Sequence, residues 1–166
     1  MRNIAIYKAT LDNEEIDQLK SVLQAKDDLS KVLEFEEKMV KYIGAKYAIA
    51  TATSTAALHL ALSSMRLKRG DKVLMSVNSF VNLPETVRHF DAEPIFVDIN
   101  LEDMNLDIEK FEEAIIANKS KKLRAAIITF IGGLAPNLDK IYEIGKKYNI
   151  LIIPLPEHYN VIEVTS

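Results

Sequence analysis

The chain has no cysteine and no tryptophan, and it has only five glycines and five prolines among 166 residues. The lack of cysteine excludes disulfide bonds, thiolate metal ligands and a cysteine nucleophile, and it fits the reducing cytoplasm. The longest nearly apolar stretch, residues 125–136, contains two glycines and is too short for a membrane-spanning helix. The N-terminus lacks the apolar core of a signal peptide. We therefore predict a cytoplasmic protein that has no membrane partner.

An excess of charge of one sign is also lacking. The 21 basic and 24 acidic side chains are mixed along the chain, and the formal net charge is -3. Because there is no basic stripe to meet nucleic-acid phosphates, we predict no nucleic-acid partner. No two of the three histidines, His59, His89 and His158, lie three or four positions apart, the spacing that would place two imidazole ligands on one helix face. We therefore predict no metal site.

What the sequence does contain is an alternation of apolar runs with amphipathic segments. Strands are predicted at residues 47–50, 72–77, 94–98, 125–130 and 150–153. Helices are predicted between them at residues 55–64, 84–89, 107–117 and 137–148, and two more precede them, starting at Asp12 and Ser30. Several of the strands are continuous apolar runs, which are typical of strands buried on both faces. The alternation predicts an α/β fold with three layers, α/β/α, around a mainly parallel sheet.

The most informative segment is the hydroxyl-rich turn Thr53-Ser54-Thr55, which leads directly into an Ala/Leu-rich helix. The first N–H groups of that helix, its dipole and the hydroxyls would together bind one phosphate-sized anion. The glycine spacing of a Walker loop or of a dinucleotide fingerprint is absent, which argues against nucleotide binding through those motifs. Helix capping alone also explains the turn. A phosphate monoester site and a simple cap therefore both stay open.

Three further features follow the predicted strands. Phe80 has polar neighbours, and its ring can either join the core or stack on a flat heteroaromatic ligand. Gly132-Gly133 either lets the backbone approach a ligand closely or forms a simple turn. Asp98 is interpreted as a cap of the next turn. Because the carboxyl ends of parallel strands meet at one edge, these segments and the residues after Ile153 should share one crevice.

Five blocks of the sequence, in order, resemble the N-terminal half of the DegT/DnrJ-type sugar aminotransferases, which are fold-type I enzymes dependent on pyridoxal phosphate (PLP). The blocks are Phe35-Glu36 with residues 42–46, residues 54–60, residues 79–81, residues 94–98 with 105–107, and residues 133–139. The resemblance extends from about Leu33 to Ile153. It implies a truncated fold-type I PLP-transferase large domain.

The resemblance also implies roles for individual residues. Backbone and hydroxyl groups at Ser54 and Thr55 would hold the PLP phosphate, Phe80 would stack on the pyridine ring, and His158 also fits the family's cofactor pattern. Ser54 replaces the family's usual glycine. Leu155 stands where the family has the aspartate that pairs with the ring nitrogen. The family's Schiff-base lysine would lie beyond residue 166, and no lysine of this chain matches it, so no catalytic residue is assigned.

Three segments are expected: an N-terminal helical segment (1–32), a PLP-transferase-like half domain (33–153) and a divergent C-terminal tail (154–166). The resemblance implies amino transfer from an amino acid to a keto nucleotide-sugar in surface polysaccharide or glycan biosynthesis, by a homo-oligomer such as a dimer. Without the lysine and the ring-nitrogen acid, we expect an incomplete, inactive copy that holds PLP non-covalently or not at all. The alternative is a non-catalytic binding or assembly module that pairs with itself or with a full-length relative.

Overall fold

A computed structural model describes residues 11–25 and 30–156 of the chain. The chain divides into two units, residues 1–50 and 51–166. In the first unit, helix α1 (Asn13–Ala25) and helix α2 (Ser30–Ile43) form as predicted, and neither has a buried residue. Within the described ranges, no helix combines the length and apolar character needed to cross a bilayer.

Asp12 begins α1 in the way that the sequence predicts. Its carboxylate accepts the N–H of Glu14 at 2.8 Å, and its own N–H donates to the carboxylate of Glu15 at 2.8 Å. These two reciprocal bonds satisfy N–H groups that have no partner inside the helix. Local side chains therefore fix where α1 starts.

The strand predicted at residues 47–50 is wrong, because these residues form neither a strand nor a bridge in the part of the chain that the structure describes. The N–H of Ala50 donates instead to the Glu36 carboxylate, Oε1, at 2.8 Å. Tyr47 and Ile49 are 75% and 78% exposed. An apolar run becomes a strand only where a neighbour completes the hydrogen-bond ladder, and sequence pattern alone does not show that neighbour.

Over residues 51–156, the second unit contains the four other predicted strands, four α-helices and one short 3-10 helix at Ile131–Gly133. In chain order the strands and α-helices are α3 (Ser54–Ser64), β1 (Lys72–Ser76), α4 (Asn82–Arg88), β2 (Glu93–Val97), α5 (Ile108–Ala117), β3 (Leu123–Thr129), α6 (Leu138–Tyr148) and β4 (Leu151–Leu155). The strands form one sheet in the order β2-β1-β3-β4, and every neighbouring pair is parallel. The predicted α/β class is confirmed.

Helices cover both faces of the sheet. Successive residues of β1 alternate between two apolar clusters, because strand side chains point to opposite faces in turn. Leu74 packs in the cluster that contains Phe111 of α5 and Ile141 of α6. Met75 packs in the cluster that contains Leu58 of α3, together with residues of α4. The predicted three-layer α/β/α arrangement is therefore present.

Strand β4 continues two residues past the predicted strand end at Ile153. Pro154 pairs in register with Ile128, and Leu155 pairs with Thr129. The N–H of Phe130 donates to the carbonyl of Leu155 at 3.3 Å, so the backbone of Leu155 faces β3. The backbone of Pro154, one residue earlier, therefore faces the outer side of β4. A proline is tolerated there because pairing with β3 does not need its missing N–H.

Candidate functional site

The hydroxyl-rich turn forms the N-terminus of α3. Thr53 is the N-cap in extended conformation, and its Oγ1 accepts the N–H of Ala56 at 3.1 Å. Thr51 Oγ1 donates to the carbonyl of Thr53 at 2.9 Å, which braces the turn. The first helical N–H bond is that of Ala57 to the carbonyl of Thr53, so the N–H groups of Ser54 and Thr55 precede the intrahelical ladder. One hydroxyl thus caps the helix, and Ser54 and Thr55 remain beside these N–H groups.

The first turn of α4 lies beside the first turn of α3. Asn82 Nδ2 donates to Thr55 Oγ1 at 2.9 Å. Asn82 follows Phe80 by two residues, so this bond holds the Phe80 loop next to the hydroxyl-rich turn. Of the predicted site residues, the structure therefore brings Ser54, Thr55 and Phe80 into one region.

The ring of Phe80 lies outside the core. It is 66% exposed, and the neighbouring Val81 is 74% exposed. The loop itself is anchored, since Ser79 Oγ donates to the carbonyl of Ser76 at 3.0 Å and the N–H of Asn78 donates to Ser76 Oγ at 3.2 Å. The anchored loop exposes the Phe80 ring to solvent, and Asn82 links this loop to the hydroxyl-rich turn. Of the two sequence interpretations of Phe80, core packing is the one that the structure contradicts.

Asn105 connects two loops at the same edge of the sheet and was not singled out from the sequence. It is 1% exposed. Its Nδ2 donates to the carbonyl of Leu134 at 3.0 Å, and its Oδ1 accepts the N–H of Ile131 at 3.1 Å. These bonds hold the turn that contains Gly132 and Gly133, both of which have positive φ. The sequence analysis included Asn105 in the family block at residues 105–107 but assigned it no role.

Asp98, at the carboxyl end of β2, is engaged within the chain. Lys110 Nζ donates to Asp98 Oδ2 at 2.6 Å, and the N–H of Ile99 donates to Oδ1 at 2.9 Å. The hydrogen bond from Lys110 is the largest cause that lowers the pKa of Asp98, followed by the bond from Ile99. This carboxylate therefore has one partner on the next residue of the chain and one on α5.

Replacing Lys110 with methionine should raise the pKa of Asp98 toward its ordinary value, because the largest cause of its depression is removed. A depressed folded-state pKa means that the ion pair stabilises the fold above the ordinary pKa and loses that effect as pH falls through the depressed value. Carboxyl carbon-13 NMR titration measures the midpoint directly. The control variant Lys119→Met, which replaces another exposed lysine, should leave the titration midpoint of Asp98 unchanged. An unchanged Asp98 midpoint in Lys110→Met would contradict the assignment.

The chain's similarity to known proteins agrees with this arrangement. A model of the DegT/DnrJ/EryC1/StrS aminotransferase family matches residues 9–154. The chain belongs to this aminotransferase family. GDP-perosamine synthase of Caulobacter vibrioides is 34% identical over 122 residues, which cover 74% of this chain. Spore coat polysaccharide biosynthesis protein SpsC of Bacillus subtilis is 30% identical over 128 residues, 77% of this chain.

Solved structures of family members show the same fold. The E. coli GDP-4-keto-6-deoxy-D-mannose-3-dehydratase, solved with bound hydrated PLP, superposes with a TM-score of 0.82 at 25% identity and covers 93% of this chain. The chain spans 41% of that dehydratase and 32% of the length of each of the two relatives named above. The matched region is therefore about a third to two fifths of the length of those proteins. PLP is the cofactor that the family and its solved structures imply.

The described residues fit the phosphate and the ring face of PLP but not its ring nitrogen. The free N–H groups at Ser54 and Thr55 suit its phosphate, and the exposed ring of Phe80 suits its pyridine face. Leu155, which stands where the family has the aspartate, has no carboxylate to pair with the ring nitrogen. Its side chain is 6% exposed and packs in the cluster with Leu58. His158 lies outside the described residues.

Proposed function

We propose that this chain provides the phosphate-binding and ring-stacking part of a PLP-dependent sugar aminotransferase of the cytoplasm. The observation that supports this best is the bond between Asn82 and Thr55, which holds the hydroxyl-rich turn and the Phe80 loop together. Membership of an aminotransferase family supports amino transfer from an amino acid to a keto nucleotide-sugar. The names of the two relatives, a GDP-perosamine synthase and a spore coat polysaccharide biosynthesis protein, favour a role in polysaccharide biosynthesis. We also propose that the chain acts as a homo-oligomer.

In this proposal the chain's residues bind and orient. The N–H and hydroxyl groups of Ser54 and Thr55 hold the phosphate, where the α3 dipole favours negative charge. Phe80 stacks on one face of the ring and excludes water from it. PLP, when bound, supplies an electron sink for amino-group chemistry. Because residue 155 is a buried leucine and not an acid, we assign binding to the described residues and no proton transfer at the ring nitrogen.

Replacing Phe80 with alanine should raise the Kd for PLP by about threefold to tenfold, because aromatic stacking contributes about 0.5 to 1.5 kcal/mol beyond area burial. Equilibrium dialysis with the cofactor's own absorbance gives the Kd. Phe96→Ala is the matched control, since Phe96 is also exposed, at 53%, and lies in strand β2. Failure of the unmodified chain to bind PLP saturably, or equal binding by Phe80→Ala, would contradict the proposal.

A further inference from the structure

Asn82, the first residue of α4, has an unusual hydrogen-bond pattern. Within residues 11–25 and 30–156, its Oδ1 is the one buried side-chain nitrogen or oxygen atom that lacks a hydrogen-bond partner. A buried acceptor without a partner costs free energy of folding, and native structures keep few of them. A contribution to folding stability therefore does not explain why an asparagine stands at position 82.

The hydrogen bond that Asn82 makes determines whether the Thr55 hydroxyl can donate or accept further hydrogen bonds. A hydroxyl has one proton to donate and two lone pairs that accept. Asn82 Nδ2 donates to Thr55 Oγ1 at 2.9 Å, and this occupies one lone pair. The proton of Thr55 thus remains available to a further acceptor. The side chain is exposed, so a ligand can reach it.

The same turn favours a negatively charged group that accepts hydrogen bonds. The N–H groups of Ser54 and Thr55 lie before the first intrahelical bond, at the positive end of the helix dipole. A phosphate monoester near neutral pH offers mainly acceptor oxygens. A hydroxyl that is held as a donor therefore binds such a phosphate better than a hydroxyl that is free to rotate.

We infer that Asn82 is a positioning residue of this anion site, which holds the Thr55 hydroxyl as a donor toward a phosphate monoester. Asn82 thereby favours phosphate-bearing ligands over the same ligands without phosphate. The inference deepens the proposed function and rests on it for the identity of the ligand. Asn82 acts only through Thr55, so its effect requires the Thr55 hydroxyl.

The test is a double-mutant cycle with Asn82→Ala, Thr55→Val and the combined variant, measured with PLP and with phosphate-free pyridoxal. We expect the Kd for PLP to rise about fivefold in Asn82→Ala and about tenfold in Thr55→Val, because hydrogen bonds to charged groups are among the stronger ones. The combined variant should match Thr55→Val, since the two groups act as one unit. Binding of pyridoxal should change by less than about twofold, because the Phe80 loop keeps its two hydrogen bonds to Ser76 in these variants.

Asn82→Asp provides a second variant of nearly the same shape. Its carboxylate only accepts, so it takes the Thr55 proton and adds negative charge beside the phosphate. We expect a larger loss of PLP binding than in Asn82→Ala, with pyridoxal binding again little changed. Thermal unfolding of Asn82→Ala should be no lower than that of the unmodified chain, since the unpartnered acceptor is removed.

The outcomes separate this inference from the proposed function. Unchanged PLP binding in Asn82→Ala, or additive effects of Asn82→Ala and Thr55→Val, would overturn the role of Asn82 while PLP binding stands. If the unmodified chain binds inorganic phosphate but not PLP, the same cycle is measured with phosphate, and only the proposed function fails. Absence of saturable binding of both ligands would overturn both proposals.

Discussion

Replacing Phe111 with alanine should lower the free energy of unfolding by about 3 to 5 kcal/mol, the range typical of large-to-small changes in cores. Phe111 is fully buried and lies in the cluster between the sheet and the layer of α5 and α6. Removing the ring eliminates apolar burial and leaves a cavity that well-packed neighbours fill only in part. Such a loss is a large fraction of the roughly 5 to 15 kcal/mol by which domains are stable.

Urea unfolding followed by circular dichroism measures this change. Ile116→Ala is the matched control, since Ile116 lies on the same helix but is 56% exposed. Its unfolding midpoint should move little, because surface substitutions usually change stability by less than about 0.5 kcal/mol. Equal effects of the two variants would show that α5 does not pack on the sheet through Phe111.

Replacing Leu155 with aspartate should destabilise the fold by roughly 3 to 5 kcal/mol at neutral pH, the cost typical of a buried charge without a partner. Leu155 lies at the end of β4 in the apolar cluster with Leu58 and Ile153. Although the family resemblance would place an acid here, the surroundings in this chain are apolar. The structure thus predicts that restoring the family's residue alone is harmful.

The loss in Leu155→Asp should depend on pH. Burial raises the folded-state pKa of an aspartate above the ordinary value of about 3.9. The folded state then binds more protons than the unfolded state, so stability falls as pH rises from the ordinary value to the raised one. Leu155→Asn, which has similar size and no charge, should lose stability without this dependence. Identical pH profiles of the two variants would contradict the apolar environment assigned to residue 155.

Patterns that are local in the sequence predicted most of the fold. Strands β1 to β4 and helices α3 to α6 follow from apolar runs, periodicity and caps, all of which involve residues within a turn or two of each other. The strand prediction at residues 47–50 was wrong because a strand also needs a partner strand. The Glu36 carboxylate accepts the N–H of Ala50 instead. The apolar pattern of residues 47–50 does not show that the Glu36 carboxylate binds this backbone.

The candidate site was predictable only in part, for a related reason. Thr53, Ser54 and Thr55 were identifiable because a hydroxyl cluster before a helix has a local physical meaning. Asn82 was not, because its bond to Thr55 spans 27 residues and arises from how α3 packs beside α4. Long-range polar contacts of this kind depend on the three-dimensional arrangement, which a single sequence does not specify.

Pro154 affects how copies of this chain can associate. Strand β4 has hydrogen-bonding groups on the side away from β3, and at Pro154 the donor on that side is missing. A strand from a neighbouring molecule that aligned there would meet a gap in the ladder, which disfavours growth of an intermolecular sheet. Among the described residues β4 is the last strand in the order β2-β1-β3-β4, so Pro154 disfavours strand pairing between molecules at this side of the sheet.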